Sequence, residues 1–559
     1  MLKGTINKKT INGKEYYIHQ YREDGVMRNK SLDKDEAYSL SFKINYSKKY
    51  DLEELENRSF STMVQFGFDL YTLLNKYRAY KHRFLFDDIH KFLFDDTKFG
   101  KVLALYGLRR TGKTTLIFQN ILDMSLEDFS KCAYIKIKNS DTFERLMNDL
   151  NFLTTHGFKY IFIDEITLLN DFNSLASVLS DIYGLRSKIV LSGTDSLGFM
   201  ISKYHELYDR IILIHTTYIP YKEFSEVLDI DSIDTYIEYG GLMAVETNNY
   251  NETKFIDGES INEYVDTAIA HNIEHSLKYY QDGEHFHSLY ALYEKGELTN
   301  VINRLIEDTN HRFAISVIEA SFKSHDYGSL KNLLKKNKDE KISSSLDDVN
   351  EEEIIKTLMS ELNIINKEKQ TYKIDENVIQ EIDQYLNLLD LCKDIDVISS
   401  PSFKLIKRKV FIQPGLRFAQ AKTLLNILMN QASIRLLTKP IKDFITEKLL
   451  SDIKGKILEE IVLYQTSINN KDTFKFLFPI GEYDMVTLNN QDRSANIYEI
   501  KYSKEINEKQ YRFLNDDKLN DIVEQAYYPI NEKIVLYRGD TQNFNGIKYL
   551  NIEEYLKSL

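Results

Sequence analysis

A chain of 559 residues, 43% apolar and 28% charged, is too long for one hydrophobic core and has the make-up of an ordinary soluble protein of three or four domains. A net charge of −13 argues against a surface that coats nucleic acid as a whole, and only 6 Pro and 22 Gly argue against long disordered linkers. Two cysteines, Cys132 and Cys392, build no disulfide framework and suit a reducing cytoplasm; the first residues hold no apolar signal segment, no apolar run suits a membrane span, and the histidines show no zinc-like spacing.

Residues 1–55 read as a small separate module. Tyr16 to Arg22 alternates like a strand, Glu23-Asp24-Gly25 supplies a turn, and Val26 to Leu32 returns. Asp33 and Glu36 form a capping box for a helix to about Lys49. Such a hairpin and helix can carry DNA contacts, with Arg22, Arg28 and Lys30 on it, or serve as a docking appendage for a protein partner. Residues 56–99 read as a helical linker.

The core, residues 100–225, opens on the strand-like run Val102-Leu-Ala-Leu-Tyr106. Gly107-Leu-Arg-Arg-Thr-Gly-Lys-Thr-Thr115 follows and fits the phosphate-binding loop Gly-x4-Gly-Lys-[Ser/Thr] at every fixed position. Gly107 and Gly112 let the backbone turn its N–H groups inward, with Arg110, Thr111 and Thr115 in the same cradle, and the next helix adds its positive end. Lys113 would reach the β- and γ-phosphates of ATP, and the Thr114 hydroxyl would ligate Mg²⁺. Tyr160-Ile-Phe-Ile-Asp-Glu165 reads as a buried strand ending in two carboxylates. There Asp164 would hold the Mg²⁺ shell and Glu165 would orient and deprotonate water. Ala133 to Ile137 is a further strand. Lys188 to Asp195 is another, with Ser192 and Thr194 as candidate γ-phosphate sensors.

Residues 226–300 read as helices broken at Gly240-Gly241, a lid on the core. Residues 301–445 are mostly amphipathic helix, with a polar break over residues 343–353 and a strand and turn at Lys409-Val-Phe-Ile-Gln-Pro-Gly415. Residues 401–456 carry twelve Lys or Arg against three acidic residues, which marks either a nucleic-acid face or a solvated one.

Residues 446–559 return to alternating strand and helix and hold a second constellation. Glu459 sits on a helix, Asp484 on a probable strand, and Glu499 and Lys501 share one face of another strand. Asp484 and Glu499 with a third carboxylate can hold Mg²⁺, and Lys501 can steady a hydroxide and a crowded phosphate. That is the equipment of a metal-dependent phosphodiesterase. Charged edges of a small α/β fold are the plainer alternative.

Over residues 80–540 the chain resembles a prokaryotic family of P-loop, AAA+-like ATPases with a C-terminal PD-(D/E)XK nuclease-like domain. The loop at 107–116 looks like the family's Gly-x-Arg-Arg-x-Gly-Lys-Thr-Thr-Leu. Leu207-Tyr-Asp-Arg210 and Ile219-Pro-Tyr-Lys-Glu-Phe224 are similar to its arginine segment and a later Pro-Leu motif, with Asp209 for Gly and Tyr221 for Leu. Tyr239-Gly-Gly-Leu-Met243 and Gln413-Pro-Gly-Leu-Arg417 are similar to two further family motifs, with Met243 for Pro. The resemblance implies an α/β fold class: a P-loop core with a parallel sheet and helices on both faces, a helical lid, a winged helix, and a restriction-endonuclease-like domain. It implies ATP and Mg²⁺ as cofactors and leaves the substrate undefined. The function expected is an ATP-hydrolysing switch coupled to a domain that cuts or binds DNA, through residues 401–456 and the C-terminal domain. The alternative is an ATPase-gated binding module with a silent nuclease-like domain. Oligomers remain an option.

Overall fold

The computed structural model describes residues 4–12, 14–77, 81–98, 100–169, 178–194, 199, 210–243, 258–279, 286–323, 356–357, 360–361, 375–431, 434 and 439–559. Residues 207–209, Asp195 and the break at 343–353 lie outside them. The chain divides into two compact units. One holds Met1–Thr217 with Asn272–His285, the other Tyr218–His271 with Phe286–Leu559.

The first unit begins with an antiparallel sheet of β1 (Thr5–Ile11), β2 (Lys14–Glu23) and β3 (Val26–Leu32). Asp24 and Gly25, both at positive φ, make the two-residue turn between β2 and β3. The helix Lys34–Ser47 follows with its capping box, as Asp33 and Glu36 predict. Strand β1 escapes the sequence reading because its Lys- and Thr-rich run buries almost nothing. The module is not detached, either. Tyr17, Leu32 and Tyr38 share one core with Leu105, Leu116 and Phe162 of the P-loop domain.

The central sheet has six strands in the order β4-β6-β7-β8-β5-β9. They are β4 (Met63–Phe66), β5 (Val102–Tyr106), β6 (Cys132–Lys136), β7 (Tyr160–Asp164), β8 (Lys188–Gly193) and β9 (Ile211–His215). Strands β5 to β9 are parallel, as expected, and β4 adds an antiparallel edge from a segment expected to be helical. Every residue of β5, β7 and β8 is buried, and helices cover both faces. The order sets β8 between β5 and β7. The carboxyl end of β8 therefore lies between the phosphate-loop strand and the Asp164 strand.

The second unit is built on an eight-stranded mixed sheet, β11-β10-β12-β13-β14-β15-β17-β16. Its strands are β10 (Cys392–Ser399), β11 (Lys404–Phe411), β12 (Thr473–Phe478), β13 (Gly481–Asn489), β14 (Ser494–Ile500), β15 (Ile530–Tyr537), β16 (Gln542–Phe544) and β17 (Ile547–Asn551). The expected division at 445/446 falls within one continuous helix, Lys439–Asn469, and the hairpin β10–β11 joins the C-terminal sheet by parallel pairing of β10 with β12. One face of the sheet packs on that helix and on Pro414–Met429 and Leu298–Lys323, the other on Asp517–Ala526. Two segments of the resemblance meet here. Gln413 donates from Nε2 to the Gly241 carbonyl at 3.0 Å, and the Gly415 N–H donates to Gly240 at 3.1 Å. No described helix is long and apolar enough to cross a membrane.

Candidate functional sites

The phosphate loop leaves β5 at Gly107 (φ 143°), where a Cβ would stand 2.7 Å from the Thr216 hydroxyl and 2.8 Å from that of Thr217. Gly112 (φ 83°) caps the helix Lys113–Asp123 with no side-chain hydrogen bond, leaving its first N–H groups for a ligand. Lys113 is buried and folds back to donate to the carbonyls of Gly107 at 2.9 Å and Leu108 at 2.8 Å. Burial pushes its ammonium down to about 8, against the pull of Glu165 and Asp164.

Asp164 is the hub of the site. Its Oδ2 accepts from Thr114 Oγ1 at 2.9 Å and from Tyr134 Oη at 2.8 Å, and its Oδ1 accepts from Ser192 Oγ. The structure thus brings Lys113, Thr114, Asp164 and Ser192 together from three strand ends. Glu165 sits half-buried in the left-handed region (φ 58°), and desolvation with Asp164 beside it raises its carboxyl. The donor set fits a magnesium nucleotide: an ammonium and free N–H groups for phosphates, a hydroxyl and a carboxylate for a hard cation.

Other expected residues stand elsewhere. Thr111 is a buried pin whose hydroxyl donates to Leu108 at 2.8 Å and pairs with Thr216 Oγ1 at 2.8 Å. Arg110 is exposed at φ 66°, and Thr115 is half-buried on the helix. Thr194 is tied by its N–H to Thr167 Oγ1 at 3.3 Å rather than to the loop. Arg210 precedes β9 at the amino end of the sheet, opposite the loop, and pairs with Asp181 at 2.9 Å. Missing from the sequence reading is Arg83. It is buried behind the loop, and its Nη1 donates to the Thr111 carbonyl and, at 3.3 Å, to that of Thr216. Tyr134, Thr216 and Thr217 are equally invisible in sequence, since only the fold carries them to the loop.

In the second unit, the acidic oxygens that approach within 4.8 Å come from Glu459, Glu482 and Asp484; Glu499 is not among them. Among the three stands a residue the sequence reading overlooked. Lys475 Nζ lies 2.7 Å from Glu482, 3.2 Å from Asp484 and 3.4 Å from Glu459, with its side chain 5% exposed. A bulge creates this meeting, as Asp484 and Met485 on β13 face the single Lys475 on β12. Burial opposes the charge on Lys475, but Asp484, Glu459 and Glu482 outweigh it and hold the ammonium protonated. Burial raises Glu459 and Glu499, and the lysines hold Asp484 down. Glu499 pairs with Lys501 at 2.5 Å, and its second oxygen is buried without a partner. A divalent metal does not fit between these carboxylates as they stand, because a fixed ammonium already occupies the space between them.

Part of the basic segment 401–456 is paired within its own unit. Lys407 pairs with Asp396, Lys409 with Asp383, Arg408 and Arg417 with Glu460, and Lys454 with Glu238.

Residues 100–225 match the family model described as AAA domain. With the loop and sheet above, the segment is a P-loop ATPase domain of the AAA kind. No curated protein matches the chain. Among solved structures, the S. cerevisiae Hsp104:casein complex is similar at 16% identity over 29% of this chain and 31% of that one, with a TM-score of 0.23. The chain thus spans about a third of that protein. The Walker-type ATPase of Pyrococcus abyssi is similar at 12% identity over 60% of this chain and 95% of that one, with a TM-score of 0.26. The Aeropyrum pernix ORC1 protein in complex with DNA gives 12% identity over 68% and 100%, with a TM-score of 0.24.

Proposed function

We propose that the protein is an ATP-binding and ATP-hydrolysing switch whose nucleotide state controls a C-terminal nuclease-like domain. The observation that supports it best is the convergence of Lys113, Thr114, Asp164 and Glu165 at the carboxyl end of one parallel sheet. Lys113 exchanges the loop carbonyls for the β- and γ-phosphates, whose charge favours its ammonium form. Thr114 and Asp164 would hold Mg²⁺, which would supply neutralisation of phosphate charge. Glu165, whose raised carboxyl reflects its burial, accepts the proton of the attacking water. Thr216 and Thr217 back the loop, and the chain then continues directly into Tyr218 of the second unit. A shift of the loop therefore has a covalent route outward, of the hinge type used by other nucleotide switches.

Phosphate release with ATP and Mg²⁺ tests the assignment. Lys113→Ala abolishes turnover if it is right, and unchanged turnover in that variant removes it.

For the C-terminal domain, metal-dependent cutting of DNA and silent binding of a protein or DNA are the two readings. Lys475 favours binding, since its ammonium stands where a metal would. Plasmid nicking with Mg²⁺ or Mn²⁺, compared with Glu499→Ala, separates them: cleavage lost in the variant restores the cutting reading.

A further inference from the structure

The sheet β1–β3 has two unlike faces. Its register sets Tyr17, His19 and Leu32 toward the helix Lys34–Ser47 and the core. Gln20 pairs with Thr5 and Asn29, Ile18 with Asn7, and Tyr16 with Lys9, so Asn7, Gln20 and Asn29 share the opposite face with Lys9, Lys14 and Arg22. The outer strands of that face are exposed from end to end. No carboxylate stands on it; Glu15 and Glu23 lie on the helix side by the same alternation. The three cations form no ion pair with a described residue, whereas Lys8, Arg28 and Lys30, on the helix side, each pair with a glutamate. Of the arginines and lysine expected on this hairpin, then, only Arg22 is on the open face.

We infer that this face is a docking surface for double-stranded DNA, entered through the major groove. Three strands at about 4.8 Å spacing span roughly 10 Å, inside a groove about 12 Å wide. Amide side chains are the groups that pair with the adenine edge there, and Asn7 already donates to Gln20 at 2.7 Å, which fixes both for such contacts. Lys9 on the outer strand β1 suits a phosphate rim, and Lys14 and Arg22, at opposite ends of the central strand β2, suit phosphates along the groove. Tyr16 and Met27, both exposed on the same face, suit thymine methyls. The phosphates of a duplex compensate all three cations. In a chain of net charge −13, a local face with no acid is a place where a polyanion can approach. The surface is independent of the ATPase and C-terminal readings.

The test is fluorescence anisotropy of a labelled mixed-sequence duplex with the full-length protein over a salt series. Lys9→Ala, Lys14→Ala and Arg22→Ala together are expected to weaken binding at least tenfold and to flatten the salt dependence by about 0.9 for each lost phosphate contact. Asn29→Ala is expected to keep the salt dependence and weaken binding to preferred sequences only. The series is run without nucleotide, so failure of the ATPase assignment leaves this result untouched. These surface substitutions leave the melting temperature unchanged. Duplex binding that is absent from the wild type, unchanged in the triple variant, or equalled by single strands overturns the inference, and the first of these hands the face to a protein partner.

Discussion

Lys475 stands 3.2 Å from Asp484 across a β-bulge, and both are buried. The contact makes a lysine the counter-ion of a carboxylate trio that would otherwise call for a metal. Replacing it tests that role. Lys475→Met removes the cation and leaves Glu459, Glu482 and Asp484 facing one another, which is expected to cost about 3–5 kcal/mol of stability. The same variant opens the space between the oxygens. Calorimetric titration of nucleotide-free protein with Mn²⁺ is expected to show a new site in the variant and none in the wild type, with the lost melting temperature partly recovered as Mn²⁺ is added. Equal Mn²⁺ binding by both proteins contradicts the role given to Lys475.

Asp164 receives three hydroxyl donors, from Thr114, Tyr134 and Ser192. Those from Tyr134 and Ser192 orient the carboxylate. Tyr134→Phe keeps the buried ring, which packs on Phe118, and removes only the hydrogen bond. The Mg²⁺ concentration needed for half-maximal ATP turnover is expected to rise by about tenfold, with turnover at saturating Mg²⁺ nearly intact. A fall in saturated turnover with unchanged Mg²⁺ demand contradicts a positioning role.

The parts of this architecture that follow from short-range pattern were legible in the sequence. The glycines of the phosphate loop and the run Tyr160–Asp164 declare themselves by spacing and apolarity, and Asp33 with Glu36 announces a helix start. What was hidden depends on contacts distant in sequence. Arg83 lies in a stretch that reads as an approach helix, and nothing near it says that it will pin Thr111 and Thr216. Strand β4 is four residues long and shows no burial pattern of its own. Lys475, in Thr-Phe-Lys-Phe-Leu-Phe, meets its partners only through the helix bearing Glu459 and the bulge at Asp484, which no local pattern announces. Lysine density likewise suggested an open basic surface over residues 401–456, where Lys407, Arg408 and Lys409 are paired across strands and helices.

Arg83 ties the back of the loop to the end of β9 through two carbonyls. Arg83→Met keeps much of the buried stem and removes both donations, leaving two buried carbonyls short of a donor at roughly 1–3 kcal/mol each. A lower melting temperature and weaker binding of a fluorescent ATP analogue are expected together, since the loop loses its support. Normal affinity in a destabilised protein would restrict Arg83 to a structural part.

Arg417 is the final case, where burial, charge and packing oppose one another. Its guanidinium is buried 3.8 Å from the centre of the Phe313 ring and 3.1 Å from a Glu460 oxygen. Burial lowers the affinity of Arg417 for its proton, and Glu460 offsets part of that loss. Arg417→Met strands the Glu460 charge, and Glu460→Met strands Arg417, so each single variant is expected to lose about 3–5 kcal/mol in denaturant unfolding. Arg408 also reaches Glu460, at 3.3 Å, which softens the first loss relative to the second. The double variant exchanges both ions for apolar volume, and its loss is expected to be smaller than the sum of the singles by more than 1 kcal/mol. Additive losses would mean that Arg417 is held by the Phe313 face and its packing, with Glu460 contributing nothing specific.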